Sequence, residues 1–386
     1  MRLDQKIPMI PPTRAEVTVS ILAETEDYNH RIMNVPSMWK RTRGKGVKIA
    51  VLDTGLPKHV DLAPSGGKSF ISGYLEDKNG HALHVSGLIA AIANNNMGVR
   101  GIAPDVEDYY GAVLDADGSG TVDNIIKGIY WAVDEIGADI ISMSLGITAG
   151  IPHIRALEQA CQYAVDHGTA VFAAAGNEYG AVGQPACYDC VFAVAAVNSA
   201  LQIADFSNKG KEVDYACGGV NVFSTFLNNT YAKLSGTSMA TPACAAAAAL
   251  ILADARQGPN PRKLSPAELG AKLRKICFDL GPAGWDQATG NGLPLFTNYG
   301  SESDTPDPLP EPESEPEPSR PGKFGKSGIA AMPAADCLYW RMFSRFIATV
   351  NAELDKGANT DAAFRAGLHN VGHNVALINR SIDIKT

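Results

Sequence analysis

A chain of 386 residues, 45% hydrophobic and 19% charged, has the composition of a folded globular protein, long enough for one large domain and a small second one. Its net charge of −8 disfavours a nucleic-acid binder, which would carry a basic face, and no charge-free apolar run long enough to cross a bilayer is expected. Seven cysteines cannot all pair, and no apolar signal segment is evident at the start, so a reducing, cytoplasmic setting is expected.

Residues 1–35 read as an N-terminal extension interrupted by prolines, as in "KIPMIPPTR". From about Val47 to Leu250, apolar runs alternate with helical patterns. "VKIAVLDTG", "IISMSLG" and "AVFAAAGN" are continuous apolar runs ending in Gly, Asp, Ser or Asn, the pattern of parallel strands buried on both faces. Between them, "TVDNIIKGIYWAVDEIG" and "IRALEQACQYAVDHG" have helical periodicity and end in glycine, a C-cap signal. "LSGTSMATPACAAAAAL" predicts a helix starting near Pro242, because alanine favours helix and proline suits its first turn. The fold class is α/β, with a mainly parallel sheet and helices on both faces, over residues 36–300. Residues 301–326, almost only Pro, Glu, Asp and Ser, form an acidic linker. Residues 327–386 read as a small helical domain that needs a partner surface or self-association.

In open parallel sheets, function gathers at the carboxyl ends of the strands. Asp53, Ser144 and Asn177 stand there. Ser238 precedes the alanine-rich run, where a hydroxyl is either a helix cap or a nucleophile. His81 lies where a loop enters an apolar helix, with His84 one turn further on. The chain order is Asp, His, Asn, Ser, each at an element end.

These blocks, "VLDTG", "GHALHVSG", "SMSLG", "AAAGNE" and "SGTSMATP", resemble the subtilisin-like serine proteases from about Pro36 to Phe296. Met38-Trp39 and the Pro-containing extension are similar to those of bacterial intracellular subtilisins. The resemblance implies a three-layer fold and a triad of Asp53, His81 and Ser238, with Asn177 as the oxyanion-hole side chain. The implied activity is endopeptidase action on protein or peptide substrates, broad or dedicated to one precursor. The alternative is a catalytically silent member of the fold acting as a binding module, suggested by Ala82-Leu83 where Gly-Thr is usual. That leucine is expected to add bulk beside the base.

The resemblance further assigns Gly118, Ser119 and Gly120, and Ser144, Leu145 and Gly146, to two segments that sandwich a substrate chain. Ala175 and Gly176 would help wall the pocket for the residue before the cut, with Glu178 at its rim. A structural calcium site is implied at Asp61 and Asn95, with carbonyls of Ala93, Met97 and Val99. The stretch Lys6 to Arg14 is similar to an extension that lies across the active site. "CYDC", Cys187 and Cys190, is read as a thiol pair rather than half a zinc site, and His369 and His373 as a packed or solvated face.

Overall fold

The computed structural model describes residues 6–8, 16–18, 23–257, 261–297 and 299–300. Residues 301–386, with the expected acidic linker, the expected C-terminal helices and His369 and His373, lie outside the described residues. The strands of the described chain are β1 (Lys6–Pro8), β2 (Glu16–Thr18), β3 (Lys48–Asp53), β4 (Gly66–Ser69), β5 (Glu107–Ala112), β6 (Ser119–Thr121), β7 (Ile140–Met143), β8 (Ala170–Ala174), β9 (Phe192–Val197), β10 (Val213–Gly218), β11 (Val222–Phe226), β12 (Thr230–Leu234), β13 (Cys277–Phe278) and β14 (Leu293–Pro294). Its helices are α1 (Tyr28–Ile32), α2 (Val35–Trp39), α3 (His81–Ala90), α4 (Val122–Trp131), α5 (Arg155–Asp166), α6 (Thr237–Gln257) and α7 (Pro266–Ile276).

Seven strands form one sheet in the order β10-β9-β8-β7-β3-β5-β4, every pairing parallel. The period-2 rule explains how β3 serves both faces. Ile49 and Val51 join one core cluster with the alanines of α6, while Ala50 and Leu52 join a second with residues of α4 and α5. Ile32, Met33 and Val35 also belong to the first cluster, so packing of the main domain begins before residue 36.

The helix α6 starts at Thr237, five residues before the expected proline, and Pro242 lies inside it. It is long and apolar enough to span a bilayer by composition alone, in contrast to the sequence-based expectation. Some 89% of that apolar window is buried inside this protein. Its alanines carry only a methyl group, which lets the helix pack closely against the sheet. The helix α4 continues into a π-helical turn, Ala132–Ile136, and stops at Gly137, whose φ of 63° provides the left-handed C-cap expected there.

One buried carboxylate is expected to make stability depend on pH. Asp108 on β5 accepts the Tyr110 hydroxyl at 2.6 Å, and burial pushes its pKa up to about 6. A carboxyl whose folded pKa is raised binds its proton more tightly in the folded state. Its contribution to stability is therefore full below about pH 4 and is lost as pH rises through about 6. Asp108→Asn should melt higher than wild type at pH 8, by on the order of 2 kcal/mol, and the difference should vanish near pH 4. Thermal unfolding of both proteins across that range checks this, and parallel curves would contradict it.

Candidate active site

Asp53 is the last residue of β3 and is fully buried. Its two carboxylate oxygens lie 2.8 and 3.0 Å from His81 Nδ1. Oδ1 also accepts the Thr54 N–H at 2.7 Å and lies 3.1 Å from the Thr54 hydroxyl. With Nδ1 committed to Asp53, the neutral imidazole presents a lone pair at Nε2, which is buried and has no partner. Burial opposes the imidazolium, but the charge and hydrogen bond of Asp53, with the charge of Asp77, outweigh it and raise the His81 pKa above its ordinary value.

His81 opens α3 because the preceding turn is tightly built. Gly80 has φ 95°, and a Cβ there would meet the Phe226 ring at 2.6 Å. Asp77 ties the turn, accepting from Asn79 N at 2.9 Å, Gly80 N at 3.0 Å, Leu83 N at 2.9 Å and the Thr54 hydroxyl at 2.9 Å. Sequence reasoning missed Asp77. Its signal was an Asp four residues before the histidine in a glycine-containing turn.

Ser238 is the second residue of α6, with its backbone at the helix N-terminus, where developing negative charge is favoured. Its hydroxyl donates to the Ser144 carbonyl at 3.3 Å, while the Ser144 hydroxyl donates to the Ser238 carbonyl at 2.7 Å. Pro242 accounts for the second bond. It lacks the N–H that would have paired with the carbonyl four residues back, and Ser144 satisfies that carbonyl instead.

Asn177 stands just beyond β8. Its side-chain oxygen accepts both the N–H and the hydroxyl of Thr237 at 2.9 Å. Because a backbone N–H must meet oxygen, the amide orientation is fixed, and Nδ2 is buried with no partner. Thr237, adjacent to Ser238, is the second residue that sequence reasoning missed.

His84 points elsewhere. Its Nε2 lies 3.0 Å from the carbonyls of Val222 and Ala232 on the β11–β12 hairpin, and burial pushes its pKa down to about 3. Leu83 packs with Leu62, Ala91, Val99 and Tyr231 in a separate small cluster. The expectation of leucine bulk beside the base is thus corrected: the side chain is absorbed by that cluster.

Two of the predicted substrate segments follow neighbouring strands at the carboxyl end of the sheet, and the third lies in the separate two-stranded sheet of β1 and β6. Ser144, Leu145 and Gly146 follow β7, and Ala175, Gly176 and Glu178 follow its neighbour β8. Gly118, with φ 74°, closes the turn before Ser119 and Gly120, which form β6. The strand β1 pairs antiparallel with β6, matching Lys6 to Thr121, Ile7 to Gly120 and Pro8 to Ser119.

Asp61 is buried and accepts from Asn95 Nδ2 at 2.5 Å and Val99 N at 2.9 Å. Asn95 Oδ1 accepts the Met97 N–H at 3.0 Å, and Ala93 precedes this turn. Glu24, from the N-terminal arm, accepts the Asn94 N–H at 2.5 Å and the Asn95 N–H at 3.2 Å. Cys187 and Cys190 are free thiols, and among the described residues no three His, Cys, Asp or Glu side chains form a metal-binding group.

The Subtilase family profile matches residues 44–292 of this chain. The minor extracellular protease Epr of Bacillus subtilis is 39% identical over 287 residues, 72% of this chain and 42% of Epr. Subtilisin DY of Bacillus licheniformis is 47% identical over 218 residues, 54% of this chain and 78% of that protein. The intracellular serine protease of Paenibacillus polymyxa is 41% identical over 283 residues, 69% of this chain and 84% of that protein. With a buried Asp-His pair, a serine at a helix N-terminus and an unpaired amide beside it, the chain belongs to the subtilase family, the subtilisin-like serine endopeptidases.

Proposed function

We propose that Ser238 attacks the carbonyl of a bound peptide, with His81 as general base and Asp53 as its orienting anion. The observation that carries this reading is the pair of buried, unpaired nitrogens, His81 Nε2 and Asn177 Nδ2, the second held by Thr237, the residue next to Ser238. The Ser238 hydroxyl exchanges the Ser144 carbonyl for His81 Nε2, which takes its proton as the Oγ–C bond forms. Asn177 Nδ2 and the Ser238 N–H receive the oxyanion. The imidazolium then protonates the leaving amine, and water repeats the sequence on the acyl-enzyme.

Substrate recognition is assigned to the edge of β6 and to residues 144–146, by backbone pairing that tolerates many sequences. The pairing of β1 with β6 supports a further role for the extension: Lys6-Ile7-Pro8 takes the edge a substrate would use and holds the enzyme inactive until it is removed. A fluorophosphonate probe tests both. It should label Ser238 in the full chain slowly, and at least about tenfold faster in a chain shortened to begin near residue 19. Absence of an adduct on Ser238 would overturn the catalytic assignment, and equal rates would overturn the inhibitory one.

The oxygen-rich set at Asp61 fits a structural calcium ion. A buried carboxylate, disfavoured by burial and by the Glu24 charge, gains from a hard cation. Asp61, Asn95 and the carbonyls of Ala93, Met97 and Val99 would hold it, with Glu24 supplying the arm's carboxylate. Calcium there would crosslink the arm and two loops. A chelator should lower the melting temperature, and Asp61→Ala should remove the dependence of melting on calcium. Equal melting of the wild type with and without chelator would exclude the site.

A cytoplasmic setting, nearer the intracellular relatives, is supported by the free thiols of the six described cysteines. The C-terminal tail is assigned to substrate recruitment or self-association, on the strength of its aromatic run from Leu338 to Phe346.

A further inference from the structure

The loop after β8 carries Asn177 and Glu178 side by side, and a buried asparagine from a distant part of the chain holds it. Asn208 is 1% exposed. Its Nδ2 donates to Glu178 Oε2 at 2.7 Å and to the Ala175 carbonyl at 3.2 Å. Its Oδ1 accepts the N–H groups of Glu178 and Gly180, each at 2.9 Å. Its own N–H donates to the Gly176 carbonyl at 2.9 Å. Both polar atoms of the side chain are therefore spent on one loop.

Two features show that the loop is shaped to this clamp. Gly176 has φ +113°, and a Cβ there would lie 2.2 Å from Asn208 Nδ2 and 2.9 Å from Glu178 Oε2. Only glycine admits the contact. Tyr179 is left-handed, with φ 54°, and donates its N–H to the Phe206 carbonyl at 2.9 Å, while the Lys209 N–H donates to Gly180. Residues 206–209 thus back the loop along its length.

The Glu178 carboxylate receives two bonds, from Asn208 Nδ2 and from the Asn177 N–H at 3.1 Å, and both reach Oε2. Oε1 is left to meet a ligand. An exposed ion pair ordinarily gains little, because ordering two long side chains offsets most of the attraction. Here one of the two is ordered before substrate arrives, which is the condition under which a surface charge can discriminate.

We propose that Asn208 is a positioning residue for primary specificity: by clamping Glu178 at the rim of the pocket for the residue before the cut, it makes that pocket favour a lysine or arginine side chain. The proposal rests on the assignment of Glu178 to that rim. It reaches substrate only through Glu178, so its effect must disappear when the Glu178 charge is gone.

The test compares kcat/KM for two peptides differing only at that position, lysine against its neutral near-isostere norleucine. The ratio of the two is independent of how much active enzyme a variant retains. Glu178→Gln should lower the lysine-to-norleucine ratio by about threefold to tenfold. Asn208→Ala should lower it by a similar factor, and the double variant no further. Asn208→Ser, which removes less volume, replaces the alanine variant if the latter does not fold. A wild-type ratio in the Asn208 variants alongside a lowered ratio in Glu178→Gln would overturn the proposal and leave the pocket assignment standing. An unchanged ratio in Glu178→Gln would overturn the pocket assignment and the proposal together.

Discussion

Ser238→Ala is expected to lower kcat by about 10⁶-fold, the order known for loss of the nucleophile in subtilisin itself, with an unchanged melting temperature. Stability is spared because the lost hydroxyl makes only a 3.3 Å bond to the Ser144 carbonyl, while the shorter bond between these residues uses the Ser238 carbonyl. His81→Ala should produce a comparable loss of turnover. His84→Ala should behave differently: its ring bridges the carbonyls of β11 and β12, so its removal is expected to lower melting more than turnover. Equal loss of turnover in the two histidine variants, with unchanged melting in both, would show that the wrong base has been assigned. The pH profile gives a second reading. As the proposed base, His81 must be neutral to accept a proton, and its pKa is raised, so activity should fall on the acid side with a midpoint above that of an ordinary imidazole.

Asn177→Ala is expected to lower kcat by about 10²- to 10³-fold with little change in KM, again the order known for the oxyanion-hole asparagine of subtilisin. The split follows from where the amide points. Nδ2 has no partner in the free protein, so it contributes only once negative charge develops on the substrate oxygen. A rise in KM with unchanged kcat would instead mark Asn177 as a simple binding contact. Thr237→Val offers a finer check: it removes one of the two donors that fix the amide orientation, so it should lower kcat by a smaller factor.

The residues proposed for chemistry were legible because each stands at an element end that local pattern marks. Asp53 closes a continuous apolar run, Asn177 follows another, and Ser238 precedes a run of alanines. The mistaken helix start shows the limit of that pattern. Pro242 is a poor interior residue on local grounds, and only a hydroxyl from Ser144, 94 residues before the Ser238 carbonyl it satisfies, makes its position tolerable. Leu83 was misplaced for the same reason: neighbouring letters put it beside the base, whereas its packing partners are Val99 and Tyr231.

From the sequence alone came the α/β class and the parallel sheet, since periodicity and turn chemistry report which face is buried and where an element stops, while the choice of Asp53, His81, Asn177 and Ser238 among the polar residues at element ends came from the resemblance of their sequence blocks to the subtilisin-like proteases. The tertiary structure alone decided which nitrogen of His81 is free, which way the Asn177 amide faces, what holds Glu178, and what pairs with β6. Each of these depends on hydrogen-bond partners distant in the chain, Asp53, Thr237, Asn208 and β1. Satisfying buried polar groups is a condition on the folded whole, and no local stretch of sequence encodes it.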